Sequence, residues 1–230
     1  MHHARTALAG LGVLVATTTG AMAQQVEVSG NVTLTSNYVF RGITQSDDGP
    51  AIQGGFDVSA GGWYAGTWAS SIDFGDDTTM EIDFYGGYSG SLAENTSYDV
   101  GVIYYAYPDS PELATGTQDF FEIYGGVSHS FGVVEVGGSI AYSPEFYGET
   151  GESLYYLASA SYAVAENVSL DATYGVSSFE EGMNNDYQDY SLGGTYSHPG
   201  TSLDFSLQFY GTTALPDNTE TLVFSVGKSL

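Results

Sequence analysis

Residues 26–34 read VEVSGNVTL. Val26, Val28, Val32 and Leu34 fall on one parity, and Glu27, Ser29, Asn31 and Thr33 on the other. That two-residue period is the signature of a strand with one apolar and one polar face. The same pattern returns about every 15–20 residues to the end of the chain, with turn-forming residues between the repeats. The clearest repeats are TMEIDFYGGY, SYDVGVIYYA, VVEVGGSIAY, NVSLDATYGV and SLDFSLQFYG. Nowhere does an apolar stripe of helical period run to useful length.

Twelve strands are predicted, near 25–40, 51–60, 63–74, 79–89, 96–107, 118–128, 132–142, 153–164, 167–177, 187–197, 202–211 and 220–230. Their connections alternate in length. AGG, SLAEN, SFG, VAEN and HPG are compact, whereas RGITQSDDGP, YPDSPELATGTQ and SPEFYGETGES are long and acidic. An even number of strands of about ten residues, with short turns at one end and long loops at the other, describes an all-β antiparallel transmembrane barrel. Short periplasmic turns and longer extracellular loops are therefore expected. The apolar parity carries many rings, including Tyr64, Trp68, Phe84, Tyr104, Tyr156 and Tyr174. Such rings near strand ends form the aromatic girdles of membrane barrels. A soluble two-sheet sandwich would use the same face as its core, but does not explain the alternating loop lengths.

The first 23 residues have the pattern of a bacterial signal peptide: Arg5, the short apolar run ALAGLGVLVA, then Ala21-Met22-Ala23 as a small-x-small cleavage site. The run is too short for a transmembrane helix of about 20 residues. A barrel domain over 24–230 would follow. It would keep all 28 acidic residues and only Arg41 and Lys228 as cations. A chain so acidic does not suit nucleic acid, which is bound through Lys and Arg. Cysteine is absent, so neither a disulfide framework nor thiol chemistry is available. Abundant Tyr, Phe and Gly separate the chain from disordered acidic sequences.

On the polar parity, acids recur next to the short turns: Glu27, Asp57, Asp99, Glu135, Asp171 and Asp204. If the register holds, they form a ring inside the periplasmic mouth, and lumen carboxylates concentrate cations and repel anions. Polar residues near an aqueous mouth also have a blander use, simple solvation. Arg41 is the only cation between the two termini. Tyr38 and Phe40 are expected to continue the outward set of the first strand, which turns Arg41 into the lumen. It is then placed to bind Asp47, Asp48, Asp73, Glu81, Asp83 or Glu122 and to latch the GITQSDDGP loop inward, since a guanidinium keeps its charge and grips carboxylates. A free charge at the rim is the alternative.

Residues 36–57, SNYVFRGITQSDDGPAIQGGFD, resemble the hallmark of the TorF porin family of proteobacterial conserved hypothetical proteins. Ser36-Asn37-Tyr38, Arg41-Gly42, Thr44-Gln45, Pro50-Ala51, Gln53-Gly54-Gly55 and Asp57 match its motif, with Thr44 replacing a usual Ser. GWYAGTWASSIDFG and EIDFYGGYSG resemble its next block. The resemblance implies an outer-membrane barrel and a porin function without an assigned solute. It would make Arg41, Gln45, Gln53 and Asp57 family-motif residues.

Other chemistry is thin. After cleavage His129 and His198 are the only histidines, and both fall at predicted turns, away from any Ser a general base could serve. No enzyme activity and no cofactor are expected. The loop FEEGMNNDYQD offers oxygen ligands, Glu180, Glu181 and Asp186 among them, but lacks EF-hand spacing; a solvated acidic loop is favoured over a calcium site. The expected function is a passive channel for small solutes, cation-preferring, embedded in outer-membrane lipid and lipopolysaccharide. The alternative is a plugged barrel with an adhesion or envelope-structural role. Nothing in the sequence indicates the oligomeric state.

Overall fold

The computed structural model describes residues 26–230 apart from 112, 114–115, 181–184 and 215–219. The proposed signal peptide and Glu181 lie outside the described residues. The strands are β1 (Glu27–Thr35), β2 (Val39–Phe40), β3 (Ile43–Thr44), β4 (Ala51–Ala60), β5 (Trp63–Ser71), β6 (Met80–Ala93) and β7 (Thr96–Ala106). There follow β8 (Phe120–Ser130), β9 (Val134–Ser143), β10 (Ser153–Ala165), β11 (Val168–Phe179), β12 (Tyr187–His198), β13 (Leu203–Thr212) and β14 (Glu220–Ser229).

Among the described residues, twelve strands close into one antiparallel barrel, each paired with its sequence neighbour, and β1 pairs with β14 to complete the circle. Closure removes the two free edges that an open sheet would present. The Leu230 N–H donates to the Gly30 carbonyl at 2.8 Å and tightens that seam. The short hairpin β2–β3 stands apart from the barrel as a two-stranded sheet of its own.

The outer face is apolar all round. Val28 on β1, Phe56 on β4, Phe84 on β6, Ile123 on β8, Leu192 on β12 and Leu222 on β14 are all exposed. So continuous an apolar surface suits a bilayer rather than water. Lys228 shares this outer parity with exposed Phe224 and Leu222 and sits one residue from the end of β14, where its stem can reach toward an interface.

Two features differ from the sequence expectation, both through turn geometry. Gly61 and Gly62, with φ of 54° and 93°, form a two-residue turn that pairs Ala60 with Trp63. Such a turn joins positions three apart, so the outward parity changes from even on β4 to odd on β5. Trp63 is therefore the exposed ring, while Tyr64 and Trp68, expected in the outer girdle, point into the lumen. Secondly, β1 stops at Thr35 rather than running to residue 40. Ser36 makes the last wall bonds, with its N–H donating to Phe224 O and its hydroxyl accepting from Phe224 N–H. Beyond it the chain leaves the wall, so Tyr38 and Phe40 lie inside the barrel instead of outside.

The lumen holds a packed core. Aromatic doublets such as Phe84-Tyr85, Tyr104-Tyr105, Phe120-Phe121 and Tyr155-Tyr156 put one ring on either face of the wall, because successive side chains on a strand alternate. The inward members Tyr85, Tyr105, Phe120 and Tyr155 join Tyr38, Phe40, Trp68, Phe74, Ile103, Tyr107, Tyr124, Phe146 and Tyr147 in one cluster. Tyr105 stacks on Phe120 with centroids 4.4 Å apart. Glycines on neighbouring strands make room for the inward rings. A Cβ on Gly66 would meet the Tyr85 ring at 2.6 Å, and one on Gly101 would meet the Tyr124 hydroxyl at 2.5 Å. Gly66→Ala is expected to push Tyr85 off β5, to break its 2.5 Å hydrogen bond to Asp57, and to cost about 1–3 kcal/mol of barrel stability. The midpoint of heat-induced unfolding in detergent reads this; an unchanged midpoint would refute the packing argument.

Candidate functional site

The site is built by the segment between β1 and β4, and its residues explain why it folds inward. Asn37 ties the base of the hairpin. Its side-chain oxygen accepts from the Thr44 hydroxyl at 2.7 Å and the Ser46 hydroxyl at 3.1 Å, and its amide group donates to Asp48 at 2.8 Å. The Tyr38 N–H donates to the Ser46 hydroxyl at 2.9 Å. Arg41 and Gly42 make the tip, both at positive φ (47° and 79°), and Asp47 and Asp48 (48° and 58°) make the second reversal. The left-handed region is costly for Arg41, less so for Asp47 and Asp48, since Asp visits it more readily than most residues, so contacts elsewhere must hold Arg41 in place. Just before that reversal Gln45 O accepts from the Asp73 N–H at 2.8 Å, binding the segment to the loop after β5.

The hairpin reaches opposite sides of the bore. At its base the Tyr38 hydroxyl donates to Glu81 on β6 at 2.7 Å. At its tip a Cβ on Gly42 would meet Thr212 Cβ on β13 at 2.7 Å and Asp189 Cβ on β12 at 2.8 Å. β6 and β12 lie six strands apart around a ring of twelve. Between them Arg41 Nη2 donates to Glu122 Oε2 on β8 at 2.7 Å, with side chains 6% and 1% exposed. The guanidinium carbon lies 4.1 Å from the Tyr155 ring centre and 4.7 Å from that of Phe40. Tyr105 adds its hydroxyl to the same Glu122 oxygen at 3.2 Å.

Of the six partners open to Arg41 in the sequence, Glu122 is the one engaged. Asp48 is instead bound by Asn37 and Glu81 by Tyr38, and among the described residues Arg41 forms its ion pair with Glu122. Asp83 is buried near them with its Oδ1 unpartnered among the described residues, as are Glu122 Oε1 and Asp189 Oδ2. A buried ion pair gains little over apolar packing, but removing one partner strands the other charge at a cost of about 3–5 kcal/mol. The Arg41–Glu122 pair therefore adds little net stability while both partners are present, and much is lost when one is removed.

The six turn-proximal acids share the lumen parity, opposite to exposed neighbours such as Val28, Val58 and Val136. Asp57 accepts from Tyr85, Asp99 from Tyr64 at 2.8 Å, and Asp171 from Ser161 at 2.7 Å and Ser169 at 3.0 Å. Tyr64 and Tyr124 join hydroxyls at 2.6 Å above Asp99. Glu27 and Glu135 are exposed at the mouth and Asp204 is half-buried. Tyr64 was not legible as a lumen residue without the parity change after Gly61-Gly62; the doublets were the available signal for Tyr85, Tyr105 and Tyr155.

In the outer loops, the Thr78 hydroxyl and its N–H, the latter at 2.7 Å, hold the Asp76 carboxyl below the usual carboxylate range. Burial, then the charge of Asp76, pushes the Tyr147 hydroxyl up to about 12. Asp186 accepts from Ser178 at 3.1 Å and from the Phe179 N–H at 2.9 Å, closing its own loop, while Glu180 bonds Glu152 through its backbone. Among the described residues no three His, Cys, Asp or Glu side chains stand close enough to hold a metal ion. The two histidines pair locally, His129 with Thr96 at 2.8 Å and His198 with Thr201 at 3.1 Å.

A closed twelve-strand antiparallel barrel with an apolar exterior and an occupied lumen defines the class: a porin-type β-barrel fold. The chain belongs to the family described as bacterial protein of unknown function (Gcw_chp), whose pattern it matches over residues 19–227. Among solved structures it is similar to the NanC porin, at 10% identity and a TM-score of 0.56, covering 87% of this chain and 98% of that one. It is similar also to an outer-membrane channel from Pseudomonas putida F1, at 12% identity and a TM-score of 0.51, covering 88% and 94%. Identities so low speak for the fold alone. No curated protein matches the chain.

Proposed function

We propose that the protein is an outer-membrane channel for passive diffusion of small solutes, cation-preferring, exported by a cleaved leader and gated by the Arg41 hairpin. The observation that carries this reading is a charge imbalance. Six carboxylates share the lumen parity next to the short turns, and Arg41, the one lumen cation among the described residues, is already engaged by Glu122. Carboxylates in a low-dielectric tube raise the local cation concentration without any chemical step. The TorF porin resemblance agrees with this proposal, as does the porin-type fold. No catalytic step is part of it.

Single-channel recording of the refolded mature chain under a KCl gradient tests it. A reversal potential on the K⁺ side is expected. Asp57→Asn, Asp99→Asn and Asp171→Asn combined should move that potential toward zero while leaving discrete conductance steps. Anion preference in the wild type would overturn the role of the ring and keep the channel.

The second reading, a plugged barrel with an adhesion or envelope-structural role, is favoured by the hairpin that crosses the bore. Its acidic outer loops would then meet partners or divalent ions bridging to lipopolysaccharide. It predicts that folded barrels conduct nothing, with Arg41 or without it.

A further inference from the structure

We infer that the wall behind the hairpin is itself a binding site for organic cations of the guanidinium or primary alkylammonium class, and that Arg41 is its resident occupant in the closed barrel. The inference deepens the channel reading by naming a solute class, and rests on that reading for the solute's route but not for its binding.

The geometry separates occupant from receptor. Arg41 and Phe40 belong to the hairpin, whereas Glu122 on β8, Tyr155 on β10 and Tyr105 on β7 belong to the wall. If the hairpin withdraws, the wall keeps a carboxylate and an aromatic face 4.1 Å from where the guanidinium carbon had been. A carboxylate beside an aromatic face is a general receptor for weakly hydrated organic cations, guanidinium above all.

The wall also holds more acceptor capacity than Arg41 uses. A guanidinium carries five N–H donors, yet the hairpin brings Arg41 to Glu122 through Nη2 and Oε2 alone. Glu122 Oε1 is buried and unpartnered among the described residues. So is Asp189 Oδ2, on the carboxylate whose Oδ1 accepts from the Tyr155 hydroxyl at 3.1 Å. Buried carboxylate oxygens without donors are costly, and a free cation, unconstrained by the left-handed backbone of Arg41, can supply donors a tethered one does not. Bidentate pairing to a carboxylate is the arrangement a guanidinium favours. The same oxygens repel anions, and K⁺, more strongly hydrated than guanidinium and without N–H donors, satisfies them less well.

The test uses the full mature chain folded in detergent, with methylguanidinium chloride as the probe and KCl at equal ionic strength as the reference. In Arg41→Ala, methylguanidinium is expected to raise the unfolding midpoint saturably while KCl does not. In Arg41→Ala/Glu122→Gln the dissociation constant should weaken by about tenfold or more, since a hydrogen bond to a charged group is lost. If Arg41→Ala does not refold alone, methylguanidinium in the refolding buffer should restore the folded form that KCl fails to restore. Equal responses to methylguanidinium and KCl in midpoint, or in refolding yield where the variant needs rescue, overturn the inference. Planar-bilayer recording of the same variant separates it from the channel reading. Folded Arg41→Ala barrels that bind methylguanidinium yet never conduct sustain the site and remove the channel. Barrels that conduct, with a midpoint indifferent to the choice of cation, remove the site and keep the channel.

Discussion

Arg41→Ala barrels are expected to conduct several-fold more than wild type in a planar bilayer at neutral pH, with longer open times. The expectation follows from where the charge sits. The guanidinium is almost fully buried, bound to a Glu122 that is itself buried, and lies over the rings of Tyr155 and Phe40. Truncation leaves Glu122 without its counter-charge, a loss of about 3–5 kcal/mol in the closed arrangement. The withdrawn hairpin exposes Glu122 to lumen water, so it does not suffer the same loss. At about 1.4 kcal/mol per factor of ten, the open-to-closed ratio rises by roughly a hundredfold or more, and conductance climbs until the open state saturates. Arg41→Lys is a sharper control. It keeps the charge but loses the planar stacking on Tyr155 and the geometry of the fork, and an intermediate conductance is expected. Arg41→Ala with wild-type conductance and a wild-type unfolding midpoint would show that the ion pair does not hold the hairpin.

Gly42→Ala is expected to open the lumen by a different route, sterics rather than charge. Gly42 has a φ of 79°, and its missing Cβ would sit 2.7 Å from Thr212 Cβ and 2.8 Å from Asp189 Cβ. Left-handed backbone costs an alanine about 1–2 kcal/mol, and overpacking a tight contact adds about 1–3 kcal/mol. Gly132→Ala separates the two terms. Gly132 has nearly the same φ, 83°, but nothing lies within 4 Å of the position its Cβ would take. It is expected to lower the unfolding midpoint slightly and leave conductance unchanged, whereas Gly42→Ala raises conductance. Trp68 offers a second readout, because its ring packs edge-on against Tyr38 of the hairpin segment at 5.4 Å. With Trp63→Phe as the background, withdrawal of the hairpin in Gly42→Ala should move Trp68 emission toward that of a hydrated indole. Equal behaviour of the two glycine variants would overturn the close-packing argument.

Much of the wall was legible residue by residue. The two-residue period of VEVSGNVTL and its repeats specifies strands whatever surrounds them, because a strand's side chains must alternate. Alternating turn and loop lengths follow from the topology of a meander, so the count of twelve and the closure of the ends were also in reach. Local parity placed the carboxylates of Glu27, Asp57, Asp99, Glu135, Asp171 and Asp204 on the inner face. It failed at Tyr64 and Trp68, where a two-residue turn transferred the outward face from even to odd positions.

The hairpin was a different matter. That Arg41 is inward was expected, but from a parity carried past Thr35, where no wall strand continues. Its partner Glu122 lies 81 residues away in sequence, and six carboxylates were equally eligible on composition. The sequence by itself determined the barrel, since alternation and turn length are local properties that each strand carries alone. Only the tertiary structure decided which carboxylate meets Arg41 and that the bore is crossed. Those contacts join β1's continuation to β6, β8, β10 and β12, and their selection depends on how far each side chain reaches across a closed ring. That distance exists only once the ring has closed.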